Sequence, residues 1–340
     1  MDKNHRNGYK KQGFTLVEIM IALAVTGIIM GALVVVFANQ HETYIQQTDL
    51  AKAQSNSRGA LFRLSRDIRM AGYTSIPYGI GQMSVDGDAY GLVTLRDGAT
   101  VIPNPNRSST LGNSLPGGGG DAIEIWGNFS RQGTMLQTTS PINIGDTNLR
   151  VNDPSIFKSQ GPNTPGWIAV GDNQRNVEIH EVQNGDTNPI QLAGSATFQN
   201  AYQPSATPIY VAPVYRRIYY VDPAGATAPT GEDIPVLVMR NCTAENCTLS
   251  SNFQEITVAE GIDELELFYS VADASAGTIT QNQQMVCDPC TVRSARIRIR
   301  TRSTAERDTP LLQEFATTVR VRNLGLEVTS CQIAGCGINY

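Results

Sequence analysis

Residues 13–19 read GFTLVEI, and the apolar run that they open continues FTLVEIMIALAVTGIIMGALVVVFA through residues 14–38. Glu18 is the only charge in those 25 residues, and the next carboxylate is Glu42. The 20 residues after Glu18 make about 30 Å of helix, the thickness of a bilayer's hydrocarbon core. Ahead of the run, MDKNHRNGYKKQG carries Lys3, Arg6, Lys10 and Lys11 against Asp2. The positive-inside rule keeps these first 13 residues in the cytoplasm and sends the rest of the chain across the membrane. A secretory signal peptide has a shorter apolar core and a small-residue cleavage site behind it. Here the run is longer and leads into NQHETY, so it is expected to be a retained anchor.

An ionised carboxylate at bilayer depth costs roughly 2.5–3.5 kcal/mol on insertion scales, so it is expected to have a partner. Two readings follow from the position of Glu18. It either reaches up to the headgroups, or it neutralises a positive group on another chain.

The order of the parts resembles the class III signal of type IV pilins and type II secretion pseudopilins: a basic leader, then Gly13-Phe14-Thr15-Leu16-Val17-Glu18, then an uninterrupted apolar helix. The resemblance implies that a prepilin peptidase cuts between Gly13 and Phe14 and N-methylates Phe14. Glu18 then becomes the fifth residue of the mature chain. The family role of this carboxylate is to pair with the amino terminus of a neighbouring subunit, which compensates both charges in a water-poor filament core. Implied partners are the peptidase, an inner-membrane assembly platform, other minor pilins and the major pilin. Gly27 and Gly31 have the small-xxx-small spacing that lets apolar helices approach closely. Unlike many major pilins, this anchor has no proline, and none occurs from residue 1 to 76.

The helical pattern continues past the membrane. Residues 39–71 contain no proline, and Gly72 stands where a C-terminal cap belongs. A helix over 14–71 would be about 87 Å long. Its last turns carry an apolar stripe of Leu61, Leu64, Ile68 and Ala71, which reads as docking onto a core. Arg63, Arg66, Asp67 and Arg69 fall mostly off that face. The segment LFRLSRDIRMAGY is similar to the helix end of PilW-type minor pilins.

After Tyr73 the chain turns to short β-type runs among Gly, Pro, Asn, Thr and Ser, the texture of an antiparallel β-rich domain. The runs are DAIEIWGNF, GWIAVGD, NVEIHEV, PVYRRIYYVD, IPVLVMRN, IDELELFYSV, ARIRIRTR and TTVRVRNL. Residues 100–120, including LPGGGGD, read as an exposed excursion. The last runs resemble the closing strands of PilW-like minor pilins and of pseudopilin J. The fold class is therefore α+β: a leader over 1–13, a transmembrane half-helix over 14–38, a polar to amphipathic half over 39–72, and a β-rich exported domain over 73–340. The β-rich part has room for one lobe with insertions or for two.

The whole chain carries a net charge of −5. Loss of the leader, a net +3, leaves about −8, a poor match for nucleic-acid phosphate. No specific nucleic acid is expected as a partner. One strand stands apart, with Arg296, Arg298, Arg300 and Arg302 on one face and Ile297 and Ile299 on the other. Arg320 and Arg322 alternate with Val319 and Val321 on the expected hairpin partner. This face reads as a solvated surface paired with carboxylates such as Glu264 and Glu266 across a strand. A grip on an acidic subunit or on DNA is the alternative.

All six cysteines lie beyond the membrane: Cys242, Cys247, Cys287, Cys290, Cys331 and Cys336. An even count in an exported domain points to disulfides, with 15 possible connectivities. The near pairs are Cys242–Cys247, Cys287–Cys290 and Cys331–Cys336. A six-residue loop contributes about 2 kcal/mol, against about 4.7 for a long bridge such as Cys242–Cys336. A zinc site from Cys242, Cys247, Cys287 and Cys290 is the rival reading.

No catalytic constellation is legible, and no cofactor or metal is expected. His5 leaves with the leader, His41 lies beside the membrane, and His180 stands alone in an expected strand. The glycines at 117–120 precede a strand and not a helix, so they make a poor phosphate cradle. Asp86 and Asp88 shape a turn more readily than they bind calcium. The expectation is a non-enzymatic PilW-like minor pilin of the bacterial inner membrane, with its C-terminal domain in the periplasm and then in the pilus, at the tip. A pseudopilin J role in type II secretion and a pilus-tip adhesin are the alternatives.

Overall fold

The computed structural model describes residues 14–73, 83–85, 88–90, 92–97, 100–101, 115–116, 120–137, 140–157, 166–172, 177–184, 187–194, 197–205, 208–227, 231–244, 247–273, 278–283, 292–302 and 312–321. One helix is followed by antiparallel sheets, the α+β layout expected. The chain divides into two compact units, residues 1–51 and 52–340.

The helix α1 runs Leu16–Arg69 without a break, as its freedom from proline allows. Between residues 14 and 45 every described side chain is exposed, which suits an apolar span meant to face lipid or other helices. From Ser57 onwards one face is buried: Ser57, Ala60, Leu64, Asp67 and Ile68. Ala71 lies just past the helix and is also buried.

Gly72 ends the helix in the left-handed region at φ +73°, a conformation that glycine adopts without strain. Its N–H donates to the carbonyl of Trp126 at 2.8 Å, and the Asn128 N–H returns to the carbonyl of Tyr73 at 2.6 Å. The helix exit is thus stitched to the end of a strand. The approach is close enough that a Cβ on Gly127 would stand 2.4 Å from the Met70 carbonyl oxygen.

The strands follow in chain order. A hairpin of β1 (Met83–Val85) and β2 (Asp88–Tyr90) precedes β3 (Leu92–Asp97), β4 (Thr100–Val101) and β5 (Ala122–Gly127). The short β6 (Thr134–Met135) and β7 (Asn148–Leu149) lead to β8 (Trp167–Gly171), β9 (Val177–Asn184) and β10 (Ile190–Leu192). The long β11 (Tyr210–Thr227) follows, then β12 (Asp233–Cys242) and β13 (Phe253–Glu260). The chain closes with β14 (Ile262–Asp273), β15 (Thr278–Gln283), β16 (Val292–Arg302) and β17 (Leu312–Arg320).

β11 organises the larger sheet. Its first residues pair with β6 and β8, and its middle pairs with β5 on one side and β12 on the other. Both of its faces are covered, so Val211 to Val221 is buried throughout and does not alternate with polar residues. On one face Ile123, Ile125, Tyr219 and Leu237 meet the end of α1 and the inner face of a second sheet. That sheet has the order β15-β14-β16-β17 and contributes Leu265, Leu267, Ile297 and Ile299. On the opposite face Trp126, Ile218, Tyr220 and Val238 pack with Trp167 and Ala169. A third cluster, around Phe198, Tyr202 and Ile168, fills the region of β7 to β10.

Three expectations change. Asp67 is not off the docking face but 1% exposed within it, because an arginine from β11 waits there. Residues 100–120 are not wholly an exposed excursion: Thr100–Val101 pairs with β3, Leu115 is buried, and Gly120 bridges Leu265. Strand β13 was not anticipated and extends the sheet beyond β12. Asp86, residues 117–119 and Arg322 lie outside the described residues.

Candidate functional site at the start of the helix

Thr15 precedes the first helical residue, and Glu18 lies three positions on. The two side chains complete a reciprocal cap. The Thr15 N–H and hydroxyl donate to Glu18 Oε2 at 2.8 and 2.9 Å. The Glu18 N–H donates to Thr15 Oγ1 at 3.2 Å. This is the capping box, in which two of the helix's unsatisfied first-turn donors find side-chain acceptors. A carboxylate there also faces the positive end of the helix dipole. The anchor's only charge is therefore held in place by its own chain, an arrangement that neither sequence reading of Glu18 contained. The T-x-x-E spacing was the available signal.

Phe14 is 86% exposed beside this cap. Gly27 and Gly31 lie one turn apart on the exposed helix, and a Cβ on either would meet nothing within 4 Å. Their surface is open to another helix. Gly13 and the leader lie outside the described residues.

Cys242 and Cys247 form a disulfide at the end of β12, with a Cα–Cα distance of 5.5 Å. That bond removes two of the four thiolates that a zinc site would need. Arg240 braces the bridged loop. It donates to the Cys247 carbonyl at 3.3 Å and to Glu255 at 2.9 Å, and lies 4.0 Å over the Phe253 ring. Cys287, Cys290, Cys331 and Cys336 lie outside the described residues.

On the outer face of β16, Arg298, Arg300 and Arg302 have carboxylate partners on β14. Arg298 meets Glu266, and Arg300 meets Glu264 at 2.7 Å, each directly across the β14–β16 register. Ile297 and Ile299 point into the core. The face is a ladder of opposite charges, as the solvated reading expected.

Two buried polar clusters were not legible. Asp67 Oδ2 accepts from Arg217 at 2.8 Å and from the Tyr219 hydroxyl at 2.6 Å, while Arg217 lies 4.1 Å over the Phe129 ring. Burial, and then the Asp67 carboxylate, push the Tyr219 phenol well above its ordinary range, so it remains a donor. In the second cluster His180 is not alone. Its Nε2 lies 2.9 Å from Glu178, whose carboxylate also accepts from the N–H groups of Gln199 and Asn200 and from the Tyr202 hydroxyl. Burial raises the Glu178 pKa, but these donors outweigh it and the net shift is downward. The i, i+2 spacing on a strand places Glu178 and His180 on one face, and that was the missed signal. Both clusters hold elements together. No group of three or more metal-type side chains occurs among the described residues.

The prokaryotic N-terminal methylation motif matches residues 8–34, the stretch that contains this capped helix start. The match supports a type IV pilin-like prepilin, a peptidase substrate of the pilin or pseudopilin kind, anchored in a membrane by its one N-terminal apolar helix. Comparison with curated proteins and with solved structures gave no significant match.

Proposed function

We propose that this chain is a PilW-like minor pilin, cut between Gly13 and Phe14, methylated on Phe14, and built in small numbers into a type IV pilus. The observation that carries the reading is the methylation motif over residues 8–34, set on an exposed apolar run, residues 14–38, whose only charge is Glu18. Its role is structural: it joins other minor pilins and the major pilin, through the inner-membrane assembly platform, to start or cap the filament. The β-rich domain lies in the periplasm before assembly and at the pilus tip afterwards.

Cleavage frees an amine at Phe14, cationic at neutral pH. Within one chain the Glu18 carboxylate already satisfies Thr15, but hydrogen bonds to neutral donors leave its charge uncompensated. A neighbour's amine supplies that compensation where water is scarce. The test is one substitution with two readouts. Glu18→Ala should leave membrane insertion and Gly13 cleavage nearly intact, and should sharply reduce crosslinking to partner pilins and recovery in sheared filaments. Normal recovery of Glu18→Ala in filaments would remove the assembly role. Lost cleavage would make Glu18 part of the peptidase's recognition signal instead.

A further inference from the structure

The outer face of the second sheet is a grid of cross-strand neighbours. Over β14, β16 and β17 the register sets Glu264 beside Arg300 and Glu314, and Glu266 beside Arg298 and Ala316. The next two rows are Phe268, Arg296 and Thr318, then Ser270, Ser294 and Arg320. The first two rows neutralise themselves. Arg298 also lies 3.7 Å from Glu314, and Asp263 stands 3.6 Å from Arg300 and 3.9 Å from Arg302. The last two rows carry two cations and no carboxylate. Arg296 and Arg320 are both exposed, and neither has an ion pair among the described residues. They are diagonal neighbours on adjacent strands, roughly 7–8 Å apart at the backbone. Like charges at that spacing repel unless an anion lies between them. Ser270 and Ser294 are half-buried beside them and Thr318 is exposed, so the surround supplies hydroxyl donors and no negative charge.

We propose that this corner of the sheet is a site for a phosphate monoester, held between the Arg296 and Arg320 guanidinium groups and bonded by the neighbouring hydroxyls. Each guanidinium presents a planar fork of donors that matches two phosphate oxygens. A carboxylate fills one such fork, whereas a phosphate monoester has the terminal oxygens and the charge to engage both. The chain as a whole is acidic, at −5 with its leader, which opposes an extended polyanion and favours a compact group. Free phosphate esters and lipid headgroups share this chemistry. The inference goes beyond the filament reading and does not rest on it, because every residue of the site belongs to the unit 52–340 and the anchor takes no part.

The experiment uses the full-length chain in nanodiscs of uncharged lipid at low salt, where surface charges are least screened. Glycerol phosphate is titrated by calorimetry, with glycerol as the blank. In a second arm, phosphatidylcholine liposomes with and without phosphatidic acid are tested by co-flotation. The expected result is saturable binding of the phosphate ester at one site per chain and none of glycerol. Arg296→Ala with Arg320→Ala should weaken it roughly tenfold or more, because charge-assisted hydrogen bonds are lost. Arg296→Lys with Arg320→Lys, which keeps both charges but not the forks, should fall between. Arg300→Ala, at the self-neutralised end, should bind as the wild type does. Both arginines are exposed, so an unchanged melting temperature in the variants separates lost binding from lost fold. Dependence on the two arginines in flotation alone assigns the phosphate to a lipid headgroup, and in calorimetry alone to a free ester. Absence of binding in both arms, or an equal loss in Arg300→Ala, overturns the site.

Discussion

The Glu18 carboxylate accepts hydrogen bonds from the backbone N–H and the hydroxyl of Thr15, and so closes the first turn of the helix with the group that carries the anchor's only charge. Capping and charge are separable. Glutamine at the third helical position can also complete a capping box, but it has no charge to offer an amine. Glu18→Gln is expected to keep the first-turn amides protected from hydrogen exchange in lipid nanodiscs, yet to resemble Glu18→Ala in filament recovery. Thr15→Ala should show the converse. Loss of the cap costs about 1 kcal/mol, or about fivefold in first-turn protection, while the charge remains.

The anchor was legible because its signals are local: a basic leader, one carboxylate, a proline-free run and Gly72. The docking of α1 was legible only in part. Leu64 and Ile68 announce a buried stripe, but Asp67 lies among the arginines at 63, 66 and 69 and reads as solvated. Its partner Arg217 is 150 residues away, and no local pattern reaches that far. Strand β13 escaped because an edge strand with a single buried residue, Ala259, among exposed and half-buried ones lacks clean alternation. In β11 burial on both faces removes the alternation, yet the run PVYRRIYYVD was still legible as a strand from its aromatic and β-branched residues. The Arg298–Glu266 and Arg300–Glu264 ladder was legible, because period-2 charge on two neighbouring runs fixes which face pairs.

Asp67→Ala should destabilise the protein by about 3–5 kcal/mol, because Arg217 is left as a buried charge without its carboxylate. Thermal unfolding of the full chain in detergent would measure this. The double variant Asp67→Leu with Arg217→Met, which removes both charges and keeps the volume, should recover most of the loss.

Glu178 makes stability depend on pH on the acid side. Its folded pKa is depressed below the usual 4.5, so the carboxylate's contribution is fully present above that value. It is lost as pH falls through the lower folded pKa. His180, Asp172 and Tyr202 face the same cluster, and Tyr202 is held protonated by burial and by Glu178. Glu178→Gln should flatten the acid limb of a plot of melting temperature against pH, while lowering stability at neutral pH.

The Cys242–Cys247 bridge closes a six-residue loop and should contribute about 2 kcal/mol. Cys242→Ser with Cys247→Ser should lower the melting temperature by that equivalent and no more. Non-reducing peptide mapping of the wild-type protein should recover these two cysteines in one linked peptide.

Processing at Gly13 is the claim on which the functional account stands, and intact-mass measurement of the protein from native membranes tests it most directly. The account predicts a chain that begins at Phe14, lacks residues 1–13 and carries one added methyl group on its amino terminus. A full-length, unmethylated chain in cells with active prepilin peptidase would contradict it.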